Sequence, residues 1–127
     1  MTEKKKHKVF IQGAITPAFI ADSIAKHSGK TKIGAHDIFL GQVRNDIIDN
    51  KTVAAIEYSA YEEMAENLFH EIREAIFVKY DIVCMHIYHS LGVVKSGEIC
   101  LFVFVSAKHR KDAFDACRDL VEQIKAM

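Results

Sequence analysis

Three observations predict an α+β fold in a single domain. Short apolar runs alternate with longer segments whose apolar residues recur every three or four positions. No internal repeat interrupts that alternation, and no Pro/Gly/Ser-rich stretch divides it. The order reads β-α-β-β-α-β-β-α, which implies a mixed, mostly antiparallel sheet with the helices packed mainly on one face. One domain over residues 1–127 accounts for the length.

Residues 7–12 read as the first strand. Thr16 is placed to cap a helix and Pro17 to occupy its first position, with Gly29 as its stop. Residues 34–44 read as a long strand, with Ile38, Leu40, Gln42 and Arg44 on one face and Phe39, Gly41 and Val43 on the other. A polar loop follows over 45–52, containing Asp46, Asp49 and Asn50. Residues 53–59 then read as a strand paired with the previous one as a hairpin. Between 61 and 79 the apolar positions Tyr61, Met64, Ala65, Leu68, Phe69, Ile72, Ala75 and Ile76 describe an amphipathic helix. Residues 81–89 form a further strand, 91–97 a loop, and 98–105 a strand whose unbroken apolar run marks the most buried element. In the last helix Ala113, Phe114, Cys117, Leu120, Val121 and Ile124 recur at helical spacing, with Ser106 as its expected N-cap.

Composition restricts the function. Seventeen basic residues balance seventeen acidic ones. That balance argues against a protein that tracks a nucleic-acid backbone. The N-terminus is basic, but the apolar stretch after it is short and broken by Gln12, Gly13 and Pro17. It makes no signal-peptide core, and no run approaches membrane-spanning length. Cys84, Cys100 and Cys117 are odd in number, lack C-x-x-C spacing and lie in apolar patterns. They read as reduced, packed thiols of a cytoplasmic protein.

Lys108-His109-Arg110-Lys111 is the strongest chemical signal. Cations are disfavoured in the first turn of a helix, whose dipole already makes that end positive. A basic cluster placed there points to an anion held by side chains and free backbone N–H groups. A solvated charge run explains the same residues. Two more cationic features are Gly41-Gln42-Val43-Arg44 at a strand end and Lys125 beside the apolar face of the last helix. No metal site is expected. His86 and His89 point to opposite faces of a strand, His27, His36 and His70 are scattered, and no zinc, Walker or dinucleotide motif is present. Glu62, Glu63 and Glu66 read as a solvated helix face.

Taken in order, these segments resemble a known family. Phe39-Leu40-Gly41-Gln42-Val43-Arg44 is similar to the strand-end motif of the catalytic (large) subunit of molybdopterin synthase. Ile56-Glu57-Tyr58 followed by Tyr61-Glu62-Glu63-Met64-Ala65, then Leu91-Gly92 and Gly97-Glu98, then Ser106-Ala107-Lys108-His109-Arg110 with Ala113-Phe114, match its later motifs. The resemblance runs from about Gly34 onward. It implies an α+β sulfurtransferase of molybdenum cofactor biosynthesis that converts cyclic pyranopterin monophosphate to the dithiolene of molybdopterin. Sulfur would arrive as a thiocarboxylate on the C-terminal Gly-Gly tail of a small ubiquitin-like subunit. The large subunit would form a homodimer within a heterotetramer, with no cofactor of its own.

Carried over to this chain, the resemblance assigns Arg44, His109 and Arg110 to the substrate's phosphate and pterin. Gln42 and Val43 line the site beside Arg44. Lys125 binds substrate and is catalytic, near the incoming thiocarboxylate. The guanidiniums of Arg44 and Arg110 and the imidazole of His109 are expected to converge on one negatively charged ligand. The sequence departs from the family in two places. Ser90 follows His89 where an arginine is usual, and the sequence stops at Met127, short of a Pro-aromatic-Trp-Lys segment that carries a second active-site lysine. An alternative reading is a ferredoxin-like dimeric regulatory module that binds a small anion. That reading needs no pocket for a flexible Gly-Gly tail.

Overall fold

A computed structural model describes residues 9–126. The elements are β1 (Phe10–Gln12), α1 (Pro17–Lys26), β2 (Ala35–Gln42), β3 (Ile47–Ile48), β4 (Lys51–Thr52), β5 (Ala55–Tyr58), α2 (Glu62–Lys79), β6 (Cys84–Lys95), β7 (Ile99–Ala107) and α3 (Arg110–Lys125). The first strand is expected from His7; that residue and Lys8 lie outside the described residues.

The main sheet runs β1-β6-β7-β2, with β5 added to the far half of β6. Among the described residues, only the β1–β6 pair is parallel. β7 is the central strand, and every residue from Cys100 to Ala107 is buried. Its unbroken apolar run reflects cover on both faces. On one face α2 and α3 supply Phe69, Ile76, Ala116, Cys117, Leu120 and Ile124 against Met85, Ile87, Leu101, Val103 and Val105. On the other, α1 sets Phe19 and Ile20 against Phe102, Phe104, Ile38 and Tyr88. Two of three helices therefore share a face, as the sequence implies.

Local chemistry explains the boundaries. Thr16 Oγ1 accepts from the Phe19 amide at 3.1 Å, and Pro17 begins α1 as expected. α1 stops at Lys26 with His27 as its C-cap, and Gly29 lies in the turn that follows. α3 starts later than the sequence suggests. Ser106 is not its cap: it lies in β7, fully buried, with its hydroxyl 2.7 Å from His36 Nδ1. His109 is the N-cap and makes no side-chain capping bond. Strand pairing with His36 and Cys84 keeps the chain extended through Ala107.

Three further expectations are corrected. Residues 45–52 are not an open loop. Ile47–Ile48 and Lys51–Thr52 form a two-stranded hairpin, with Asp49 and Asn50 at φ +52° and +63°. Two successive positive-φ residues suit a type I′ turn, a conformation that Asn and Asp tolerate. β5 does not pair with β2. It pairs with residues 92–95 of β6, from Tyr58↔Gly92 to Ala55↔Lys95. Residues 91–97 are accordingly no loop, because β6 continues to Lys95 and only a short turn reaches β7. Gly92, at φ +81°, stands where β6 changes partner, from β1 through Leu91 to β5 from Gly92 onward. On α2, Tyr61, Met64 and Leu68 are exposed at 87%, 64% and 43%, so the expected apolar face is only partly inward.

Candidate functional site

The end of β2 departs from regular pairing. Gly41 pairs with Leu101, but Gln42 pairs with Ile99, leaving Cys100 as an extra residue on β7. The ladder then resumes, Val43 N–H donating to Glu98 O at 3.0 Å and Gly97 N–H to Val43 O at 2.8 Å. Such a bulge bends the strand and re-aims the side chains beyond it. Val43 is buried against Val94, Cys100 and Tyr58, and Arg44 projects to solvent. Gly41 permits this close packing. A Cβ there would stand 3.1 Å from Leu101 Cβ and 3.8 Å from Cys100 Sγ.

Beside the bulge lies a cleft of about 570 Å³. Gly41, Gln42, Val43 and Arg44 form one wall, the β3–β4 hairpin and β5 another, and Lys125 from the last turn of α3 closes it. Cys100 and Tyr58 also line it. Burial raises the Tyr58 phenol to about 12, helped by its hydrogen bond to Cys100 and the charge there. It is therefore a neutral donor at ordinary pH. The Arg44 guanidinium donates to Asp46 Oδ2 at 3.2 Å, in a pair whose side chains are 81% and 53% exposed. An ion pair so exposed contributes about 0–1 kcal/mol, so it holds the guanidinium only weakly.

Thus Gln42, Val43, Arg44 and Lys125 come together. His109 and Arg110 do not join them within one chain. They follow Ala107, which pairs with Ala35 at the opposite end of β2 from Gln42. Seven residue steps along β2 span about 23 Å. Within one protomer the Arg44 guanidinium therefore stands far from His109 and Arg110, because α3 and β2 both run between them. The sequence reading also misses Tyr58, Cys100 and Asp46 as cleft residues. Tyr58 stands in the Ile56-Glu57-Tyr58 segment, but only the observed β5–β6 pairing brings it to the bulge.

A family model described as MoaE protein matches residues 15–127. The chain belongs to the MoaE family. Named relatives agree: the molybdopterin synthase catalytic subunit of Pyrococcus abyssi is 39% identical over 106 residues, which is 84% of this chain and 70% of that relative. That of Bacillus subtilis is 35% identical over 104 residues, 82% of this chain and 66% of the relative. Molybdopterin synthase from Staphylococcus aureus has the same fold, with a TM-score of 0.81 at 28% identity over 98% of this chain and 87% of that one. A complex of subunits 1 and 2 of molybdopterin-converting factor from Helicobacter pylori matches in fold alone, with a TM-score of 0.78 at 24% identity over 92% of this chain and 76% of that one. The chain spans about two thirds of the length of such curated relatives. As a MoaE family member it is an enzyme of molybdenum cofactor biosynthesis that transfers sulfur in molybdopterin synthesis. Among the described residues, no helix is long and apolar enough to cross a membrane.

Proposed function

We propose that the cleft at the bulged end of β2 is the sulfur-transfer site. It receives the phosphate of a cyclic pyranopterin substrate at Arg44, beside the Gln42 and Val43 backbone. The C-terminal thiocarboxylate of a small ubiquitin-like subunit enters next to Lys125. Once the tail's sulfur is bonded to the substrate, water attacks the thioester carbonyl, and the ammonium stabilises that oxyanion or carries a proton to the leaving sulfur. The carbonyl–sulfur bond then breaks, leaving the sulfur on the substrate and a carboxylate on the tail. The transferred sulfur comes from the partner, so no cysteine nucleophile is required. The observation carrying this reading is that residues far apart in sequence, Gln42 to Arg44 and Lys125, line one cleft.

His109 and Arg110 enter the same chemistry from a second copy of the chain. They are too distant from Arg44 to share a ligand within one protomer, and the resemblance implies a homodimer inside a heterotetramer. The hairpin at the cleft rim presents Ile47 and Ile48 at 74% and 61% exposure, an apolar surface suited to a protein neighbour. Mixing complementary variants tests the arrangement. Arg44→Ala and Arg110→Ala are each expected to be weak alone in a single-turnover assay with thiocarboxylated small subunit. Mixed dimers of the two regain activity, because one of their two sites is intact. Failure of the mixture to exceed its parents, with dimer exchange verified, overturns the shared site. A regulatory anion sensor, the alternative reading, has no place for the thiocarboxylate tail and predicts no sulfur transfer in any sample.

A further inference from the structure

At the other end of the sheet, on the face covered by α1, three ligand-type side chains meet away from the cleft. His27 closes α1 as its C-cap. Cys84 and His86, two residues apart on β6, point to the same face. Sγ of Cys84 and a ring nitrogen from each histidine all lie within 4.8 Å of one another. His27 Nε2 is 3.0 Å from His86 Nε2. Tetrahedral zinc holds two imidazole nitrogens about 3.3 Å apart, given Zn–N bonds of about 2.0–2.1 Å. The two ring nitrogens therefore need only a few tenths of an ångström of adjustment, and Cys84 Sγ lies close enough to close on the same ion.

His27 is pre-set as a ligand. Its Nδ1 lies 2.7 Å from Ser23 O, a carbonyl that can only accept. The ring proton therefore sits on Nδ1, and the Nε2 lone pair faces His86 and Cys84. Orientation of one ring nitrogen by a backbone carbonyl is the usual support of a metal-bound histidine. The ring is further fixed by stacking on Phe104, with centroids 4.7 Å apart and 25° between planes. His27 and Cys84 are buried at 8% and 7% exposure, and His86 is half-buried, which leaves one side open to solvent. Lys30, an exposed residue, donates from Nζ to Cys84 Sγ at 2.9 Å.

We propose that His27, Cys84 and His86 form a zinc-type divalent metal site with a solvent molecule in its fourth position. Two imidazoles and one thiolate match the borderline-soft preference of zinc. On binding, Cys84 loses its thiol proton to solvent, and the proton on His86 resides on Nδ1 so that Nε2 can ligate. Lys30 swings into solvent, because its ammonium and the metal compete for the same sulfur. The metal would tie the end of α1 to β6, about 20 Å from the cleft along the sheet.

Titration of the tag-free chain with cobalt(II), and then with zinc as competitor, tests the site. The expected result is a single equivalent of cobalt with a sulfur-to-cobalt charge-transfer band and the visible bands of a tetrahedral ion. Cys84→Ser abolishes the charge-transfer band. His27→Gln and His86→Gln each weaken binding about tenfold or more. Lys30→Ala, which changes only an exposed side chain, tightens binding severalfold. Absence of the charge-transfer band in the natural chain, its persistence in Cys84→Ser, or weaker binding in Lys30→Ala would each overturn the assignment.

Discussion

Arg110 and Lys125 are the first and last residues of the same helix. Fifteen steps of 1.5 Å put about 22 Å between them. Lys125 faces the cleft with Arg44, and Arg110 stands at the far end. Lys125 and Arg44 share that cleft in different proposed roles, so they call for different kinetic signatures.

Lys125→Ala is expected to lower kcat by about 100-fold or more with a smaller change in KM. That is the scale seen when one stabilising donor to an oxyanion is lost. Arg44→Ala is expected to act on binding. A charge-assisted hydrogen bond contributes about 1.5–3 kcal/mol, so substrate affinity falls by about 10–100-fold. Single-turnover rates at saturating and limiting substrate separate the two. Equal effects of both variants on kcat alone would remove the distinction.

Gly41→Ala tests the bulge. The added methyl group meets Leu101 Cβ at 3.1 Å, and Leu101 is 2% exposed in the core and cannot move freely. Overpacking of this kind costs about 1–3 kcal/mol. Because Gln42 to Arg44 are aimed by the bulge, activity should fall more than stability alone explains. Denaturant midpoints measured beside single-turnover rates check both parts.

Much of the fold was legible because it rests on local chemistry. Thr16 and Pro17 announce α1, and the run at 99–105 announces a strand buried on both faces. Pairing was harder to read. Gly92 inside β6, and the Asp49-Asn50 turn that makes a hairpin of a polar stretch, look like loop in one dimension. The cleft was half legible. Gln42, Val43 and Arg44 are contiguous, but only the placement of α3 brings Lys125 to them. His27 looked scattered, and His86 was weighed only with His89, because 59 positions separate His27 from His86 and contact between them depends on α1 crossing the sheet face.

Asp119 should set part of the acid limb of stability. It accepts from Gln123 at 2.9 Å, Tyr80 at 2.8 Å and Lys79 at 3.0 Å. These bonds, led by Gln123, hold its carboxyl below the ordinary 3.8. Folded protein then binds fewer protons than unfolded protein near that pH. The contribution is complete above about 3.8 and is lost as pH falls through the lower folded value. Asp119→Asn should flatten the fall in denaturant midpoint below pH 4 while leaving its slope near pH 6 unchanged.

Cys117 should shape the alkaline limb. It is 4% exposed among the helices and sheet of the main core. Burial, then the charge and hydrogen bonding of Asp37, raises its thiol from 9.0 to about 12. Between those values the folded chain keeps a proton that the unfolded chain releases. Stability from this group is therefore fully present below about 9 and is lost as pH rises toward 12. Cys117→Ala should start from a lower stability, through the small cavity it leaves, but lose less between pH 9 and 11 than the natural chain. The same burial withholds the thiolate from reagents. Alkylation of Cys117, followed by peptide mass mapping, should proceed only as fast as the protein opens and should accelerate in step with denaturant-induced unfolding. Rapid labelling of Cys117 in native buffer would show that the core around α3 opens far more readily than its packing implies.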